Sequence, residues 1–228
     1  MSGGDLLPHA SASPARRGIH WSIWIAAYFV GLIVVHAFDG PIFRALLSPD
    51  EEALEGRSLY QVFRQLGYFP TWLIVGLAIG LELQRRRQGG IELPPLKRER
   101  QGPDSVVMLI TCSAISGALA ELMKLVIGRS RPDAFGSPVY RGWFAGFEDG
   151  SNLGLPSSHA AVAFGAAFAL LHAYPGAGWV LVLGATGCGI TRIMAGAHLP
   201  TDVYVAAGVA YAVSQGYERV RRGMRGLR

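Results

Sequence analysis

Six mostly apolar stretches, each near the length of a bilayer-crossing helix, set the strongest limit on what this chain can fold into. They are Ile19–Phe38, Tyr68–Leu83, Ser105–Ile127, Ser157–Ala173, Gly178–Met194 and Pro200–Tyr217. A spanning helix needs about 20 predominantly apolar residues. Composition agrees: 50% of the 228 residues are hydrophobic and 16% are charged, against about 25% charged in soluble domains. The last three stretches are rich in Ala and Gly, which lets helix backbones approach closely. The expected fold is all-α, a six-transmembrane helix bundle over residues 19–217, with a disordered polar tail at 1–18 and a basic tail at 218–228. The run after Arg16 and Arg17 is too long for a signal-peptide core and no clear cleavage site follows, so it reads as a retained first span. Cys112 and Cys188 fall inside apolar runs without metal-ligand spacing and read as small buried hydrophobes.

Between the first two spans, Asp39–Gln65 mixes acids with apolar residues. Ser48 as N-cap, Pro49 at the first helical position and acids in the first turn predict an amphipathic interfacial helix, with Gly56 as its candidate break. A solvated helix without a role in chemistry is the favoured reading of it. The net charge of +5 is explained by topology. Arg16 and Arg17 precede span one; Arg85–Arg87, Lys97, Arg98 and Arg100 separate spans two and three; Arg219, Arg221, Arg222, Arg225 and Arg228 follow span six. With an even number of spans these clusters share one side, which the positive-inside rule makes cytoplasmic. Nucleic acid is not an expected partner, because the basic runs lack interleaved aromatics and any recognisable module. The expected location is a bacterial inner membrane, with the other face toward the periplasm or exterior; in a eukaryote that face would be a lumen or the outside.

Three polar clusters fall on that other face. The first is "KLVIGRSRP", Lys124–Pro132. Lys124 and Arg131 are two helical turns apart and can share a face, and Pro132 is expected to stop the element at Arg131. The second is "LPSSH", Leu155–His159, where serines open a helix whose free N–H groups form an anion site. The third is "TRIMAGAHLPTD", Thr191–Asp202. Pro200 suits the first position of span six, placing Asp202 in the first turn and His198 just before it. Asp202 can then accept from one imidazole nitrogen and leave the other as acceptor or nucleophile. Taken one at a time these residues are ordinary caps and interfacial charges. Together they supply three cations, a helix N-terminus, two histidines and a carboxylate, a set suited to a phosphate dianion and its transition state. No metal or other cofactor is expected, since cations and amides already meet the charge. Arg129 and Arg141 are extra cations, read as loop charges in preference to a second phosphate site. The aromatics Phe135, Tyr140, Trp143, Phe144 and Phe147 are either interfacial anchors or the lip of a substrate entrance.

Order and spacing of the three clusters resemble the type 2 phosphatidic acid phosphatase family, whose pattern is KxxxxxxRP, PSGH and SRxxxxxHxxxD. Lys124, Arg131 and Pro132 meet the first; Pro156, Ser157 and His159 meet the second, with Ser158 in place of Gly; Arg192, His198 and Asp202 meet the third, with Thr191 in place of Ser. The resemblance implies a lipid phosphate substrate, with His198 as nucleophile, Asp202 orienting it, and His159 as acid to the leaving group and activator of water. Lys124, Arg131 and Arg192 would clamp the phosphate, with Ser157 and the backbone N–H of Ser158 completing the cradle. Ser158 can replace Gly only if its φ is not positive. Phosphotransfer to an alcohol, or lipid-phosphate binding or transport without catalysis, are the alternatives. Vanadate-dependent haloperoxidases resemble the motifs too, but they are soluble and six spans argue against that reading.

Overall fold

The computed structural model describes residues 14–89 and 103–226. In chain order these form α1 (Pro14–Ala37), α2 (Asp39–Leu46), α3 (Glu51–Glu55), α4 (Ser58–Gln65), α5 (Phe69–Gln88), α6 (Pro103–Ile127), β1 (Arg129–Pro132), β2 (Pro138–Tyr140), a 3₁₀ turn (Ala145–Phe147), α7 (Ser158–Ala173), α8 (Pro175–Met194) and α9 (Pro200–Gly226). The fold is mostly helical, with one small antiparallel hairpin, β1–β2. Residues 1–13 of the expected tail lie outside the described residues, as do Lys97, Arg98, Arg100 and Arg228; residues 14–18 already belong to α1.

α7 is the axis of the bundle, packed against α6, α8 and α9. Its sequence, "SHAAVAFGAAFALLHA", has no polar face, and a helix apolar all round belongs inside. Ala160 through Ala167 are buried without interruption. Small residues make the packing close: a Cβ on Gly165 would stand 2.6 Å from the Cys112 carbonyl oxygen of α6. Both cysteines are buried and free.

Within α6, Asp104–Ile127 is long and apolar enough to cross a membrane. Two bent pairs pass the same test when taken together: Trp21–Ala37 with α2, bent by 58°, and α4 with α5, bent by 74°. α7 and Gly178–Met194 of α8 are shorter apolar helices. Apolar side chains on the outside of α1, α5 and α8, among them Trp24, Ile33, Ile74, Leu77, Val180 and Leu183, are exposed, as expected of helices facing hydrocarbon.

Three local expectations change. The single interfacial helix is three short ones, α2, α3 and α4. α3 does end at Gly56, but its N-cap is Asp50, whose Oδ1 accepts from the Ala53 N–H at 3.0 Å; Ser48 instead donates its hydroxyl to the Asp50 carbonyl. Asp has a second carboxylate oxygen to aim at the first turn and favours the helix dipole. Next, Lys124 and Arg131 do not share a helix face. α6 stops at Ile127 because Gly128 turns left-handed, φ +66°, with its N–H returning to the Lys124 carbonyl at 2.9 Å. Arg131 therefore lies on β1, and Pro132 ends a strand, not a helix. Finally, α9 does not end near Tyr217. It continues through residues 218–226, where Glu218 pairs with Arg221 at 2.7 Å one turn away, a spacing that supports a surface helix.

Candidate active site

α8 ends at Met194, and Gly196, at φ +67°, reverses the chain. Four residues after Gly196, α9 begins at Pro200, whose fixed φ and missing N–H suit a first helical position. The short connection leaves His198 just before α9 and Asp202 in its first turn. Asp202 reaches back as an N3 acid does in a capping box: its Oδ2 accepts from the Leu199 N–H at 2.8 Å and lies 3.3 Å from His198 Nδ1. Both side chains are buried, His198 at 2% exposure and Asp202 at 0%. With Nδ1 committed to Asp202, Nε2 is the nitrogen left to meet a substrate. Burial pushes the His198 imidazole below the ordinary histidine range; the Asp202 hydrogen bond pulls the other way, and the Lys124 and Arg192 cations push it down further.

The N-terminus of α7 is fastened to this pair. Ser157 caps the helix, its Oγ accepting from the Ala160 N–H at 3.5 Å, and its own N–H donates to the Asp202 backbone carbonyl at 3.2 Å. Ser158 follows with ordinary helical geometry, and positive φ at non-glycine positions among the described residues is confined to Phe144 and Asn152. The condition for replacing Gly is met. Lys124, at the last turn of α6, donates to Ser158 Oγ at 3.1 Å and to Glu121 at 2.9 Å. His159 stands edge-on to Tyr68, ring centroids 5.0 Å apart, within electrostatic reach of Arg192, His198, Lys124 and Arg64.

Arg192 sits in the last turn of α8, and its Nε is buried without a hydrogen-bond partner. An orphaned guanidinium N–H is costly in a folded interior and calls for an acceptor. The Thr191 hydroxyl is spent on the Cys188 carbonyl at 2.7 Å. Arg131 is exposed, yet its charge still acts on Arg192. A cavity of about 350 Å³ opens between α5 and α6 onto Ser158 and His159, with Tyr68, Gly117 and Glu121 in its wall. Among the described residues, no group of three or more His, Cys, Asp or Glu side chains could hold a metal ion.

The eight residues singled out from sequence thus gather where α6, α7, α8 and α9 meet, with Arg131 at the margin. Three others escaped sequence reasoning. Arg129 is no loop charge: it is buried and its Nη2 binds Asp202 Oδ1. Asp39, on α2, accepts from the Thr201 N–H at 2.8 Å and hydroxyl at 2.5 Å, capping α9 from outside. Glu121 holds Lys124 at the cavity wall. The i to i+3 spacing of Glu121 and Lys124 was a readable signal; the other two partnerships cross 73 and 162 residues of chain and leave no local pattern. Arg141 is a loop charge, paired with Asp149 at 2.9 Å. The five aromatics of residues 133–152 are all exposed.

The family model described as the PAP2 superfamily matches residues 105–222, a range that holds all eight candidate residues. A lipid A 1-phosphatase of Rhizobium etli is 32% identical over 202 residues, covering 82% of this chain and 80% of that protein. A lipid A 1-phosphatase of Rhizobium johnstonii is 43% identical over 99 residues, covering 42% of this chain and 38% of that protein. No solved structure matches. With the family match over half the chain and a relative aligned along most of it, the chain belongs to the PAP2 superfamily.

Proposed function

We propose that this lipid phosphatase hydrolyses a phosphate ester of a membrane lipid through a phosphohistidine at His198, without a resident metal. The observation that carries the reading is the buried His198–Asp202 pair, set where Lys124 and Arg192 act on the same imidazole. His198 Nε2 attacks phosphorus as the bond to the lipid oxygen breaks, and His159 gives that oxygen its proton. Asp202 accepts the Nδ1–H and steadies the positive charge that forms on the ring. His159 then takes a proton from water, the water oxygen attacks the phosphohistidine, and inorganic phosphate leaves with His198 restored. Lys124, Arg192, Arg131 and the N-terminal amides of α7 face the charge gathering on the phosphoryl oxygens.

The relatives named lipid A 1-phosphatases point to a saccharolipid phosphate as the substrate class. α1, α5, α6, α7, α8 and α9 are proposed as the six spans. α7, with 16 residues, reaches only about 24 Å at 1.5 Å per residue, but it is enclosed by neighbours and need not match the lipid thickness itself. Arg85–Arg87 close α5 and Arg219, Arg221 and Arg222 close α9, at the helix ends opposite the site, which supports a periplasmic site in an inner membrane. The test is phosphate release by the full chain in detergent from a lipid A 1-phosphate, phosphatidate and an isoprenoid diphosphate, with and without a chelator. Release unaffected by chelator, greatest with the saccharolipid, is the expected result. No release from any of them would end the reading.

A further inference from the structure

We infer that Arg129 is a positioning residue of the phosphatase, acting on His198 through Asp202 and not on the phosphate. The inference rests on the proposed phosphohistidine chemistry and adds a member to its machinery. Arg129 falls inside the first polar cluster but at a position the KxxxxxxRP pattern leaves open, and its backbone is fixed by the hairpin. Its carbonyl accepts from the Gly154 N–H at 2.8 Å, and it stands opposite Tyr140 in the β1–β2 pairing. Its side chain is 7% exposed and turns inward, where Nη2 meets Asp202 Oδ1.

Asp202 is thereby divided. One oxygen takes the guanidinium, and the other takes the Leu199 N–H and faces His198 Nδ1. A guanidinium so placed does two things. It stops the carboxylate rotating about its last bond, so the imidazole keeps one orientation. It also balances the carboxylate charge in a buried place, so that the neutral imidazole, the nucleophilic form, persists beside it. Without Arg129 the uncompensated carboxylate would draw a proton onto His198. The other charged groups facing His198 are Lys124 and Arg192, and His159 lies in reach of all three. Those two cations also disfavour a proton there, but neither touches Asp202. The hairpin thus delivers to the site the cation that, among the described residues, is bonded to the orienting carboxylate. Arg129 and Arg192 each keep a buried Nε without a hydrogen-bond partner; what sets Arg129 apart is that its Nη2 is committed to Asp202 Oδ1.

The experiment compares wild type, R129Q, R129K, D202N and R129Q/D202N in detergent. It reads the pH profile of kcat/KM, kcat and KM separately, and inhibition by orthovanadate. For R129Q the acid limb should move up by about one pH unit, and kcat should fall roughly tenfold or more. KM and the vanadate constant should stay within about twofold, since uniform binding is untouched. R129K, keeping a charge beside Oδ1, should restore the limb toward wild type. Because Arg129 acts through Asp202, R129Q/D202N should be no slower than D202N. If R129Q is recovered unfolded, from a buried carboxylate left alone, the double variant judged against D202N carries the test, since it removes both charges together. Losses that multiply in the double variant, or a vanadate constant raised tenfold with the limb unmoved, would make Arg129 a phosphate ligand and overturn the inference. An inactive wild type would instead bring down the functional reading beneath it, so the two failures look different.

Discussion

His198 carries a conflict that its surroundings resolve. A nucleophilic imidazole must be neutral, and it stands beside a carboxylate that favours the protonated ring. Burial and the Lys124 and Arg192 cations act against that proton. The sign follows. The folded-state pKa of His198 lies below the unfolded value of about 6.5, so between the two values the unfolded chain binds more protons and stability falls as pH drops through that window. The neutral nucleophile persists in the same window. The acid limb of kcat/KM for phosphate release is expected below about pH 6.5; a limb above it would mean that Asp202 wins. D202N should lower kcat by about two orders of magnitude or more with little change in KM, because the orientation of the ring is lost and phosphate binding is not. A steady-state comparison at pH 7.5 reads both constants. His198 and Asp202 were legible in the sequence because their relation is local: four residues apart, with Pro200 between them to start a helix. Arg129 was misread because its partner is 73 residues away and is reached only by folding a hairpin that no short pattern announces.

The hairpin owes its place to one backbone conformation. Gly128, at φ +66°, ends α6 and throws the chain into β1, and a Cβ there would run into the Gly142 carbonyl oxygen. Gly128→Ala is therefore expected to destabilise the protein by about 1–3 kcal/mol, and to lower kcat as well, because Arg129 hangs on the next residue. A thermal melt in detergent together with turnover checks both effects. Gly80→Ala is the matched control. A Cβ at Gly80, inside helix α5, meets nothing within 4 Å, so this change should leave turnover intact and raise stability by a few tenths to about 1 kcal/mol. If the two substitutions behaved alike, backbone conformation at residue 128 would not be what delivers the hairpin. At this scale the helices at the site were readable from apolar runs and from serine and proline at their starts, and α7 begins one residue from its expected place. The end of α6 was not. The spacing of Lys124 and Arg131 is compatible with a continuing helix, and only the left-handed glycine, with the strand pairing that follows it, rules that out. Asp39 is a similar case: an acid in an interfacial segment gives no local sign that it will cap a helix 162 residues later.

At the scale of the whole molecule, four helix ends converge on one site, and the basic residues cluster at the opposite ends of α5 and α9. Up-and-down connectivity forces this separation: a helix that carries a site residue at one terminus carries its flanking charges at the other. The proposed orientation follows from the positive-inside rule, and labelling tests it directly. Cys112 and Cys188 are fully buried, so the native chain should react poorly with a membrane-impermeant maleimide and serve as its own background. Ser137, in the turn between β1 and β2, and Gln88, at the end of α5, are exposed. Ser137→Cys should label in spheroplasts, with the inner membrane intact, whereas Gln88→Cys should label only after that membrane is broken. Labelling of Gln88→Cys alone in sealed spheroplasts would turn the site toward the cytoplasm and exclude substrates confined to the outer leaflet. Labelling of both would put the hairpin and the α5 terminus on one side, which a spanning α6 between them does not permit. Only the first pattern leaves His198, His159 and the cation cluster open to a phosphate at the periplasmic surface.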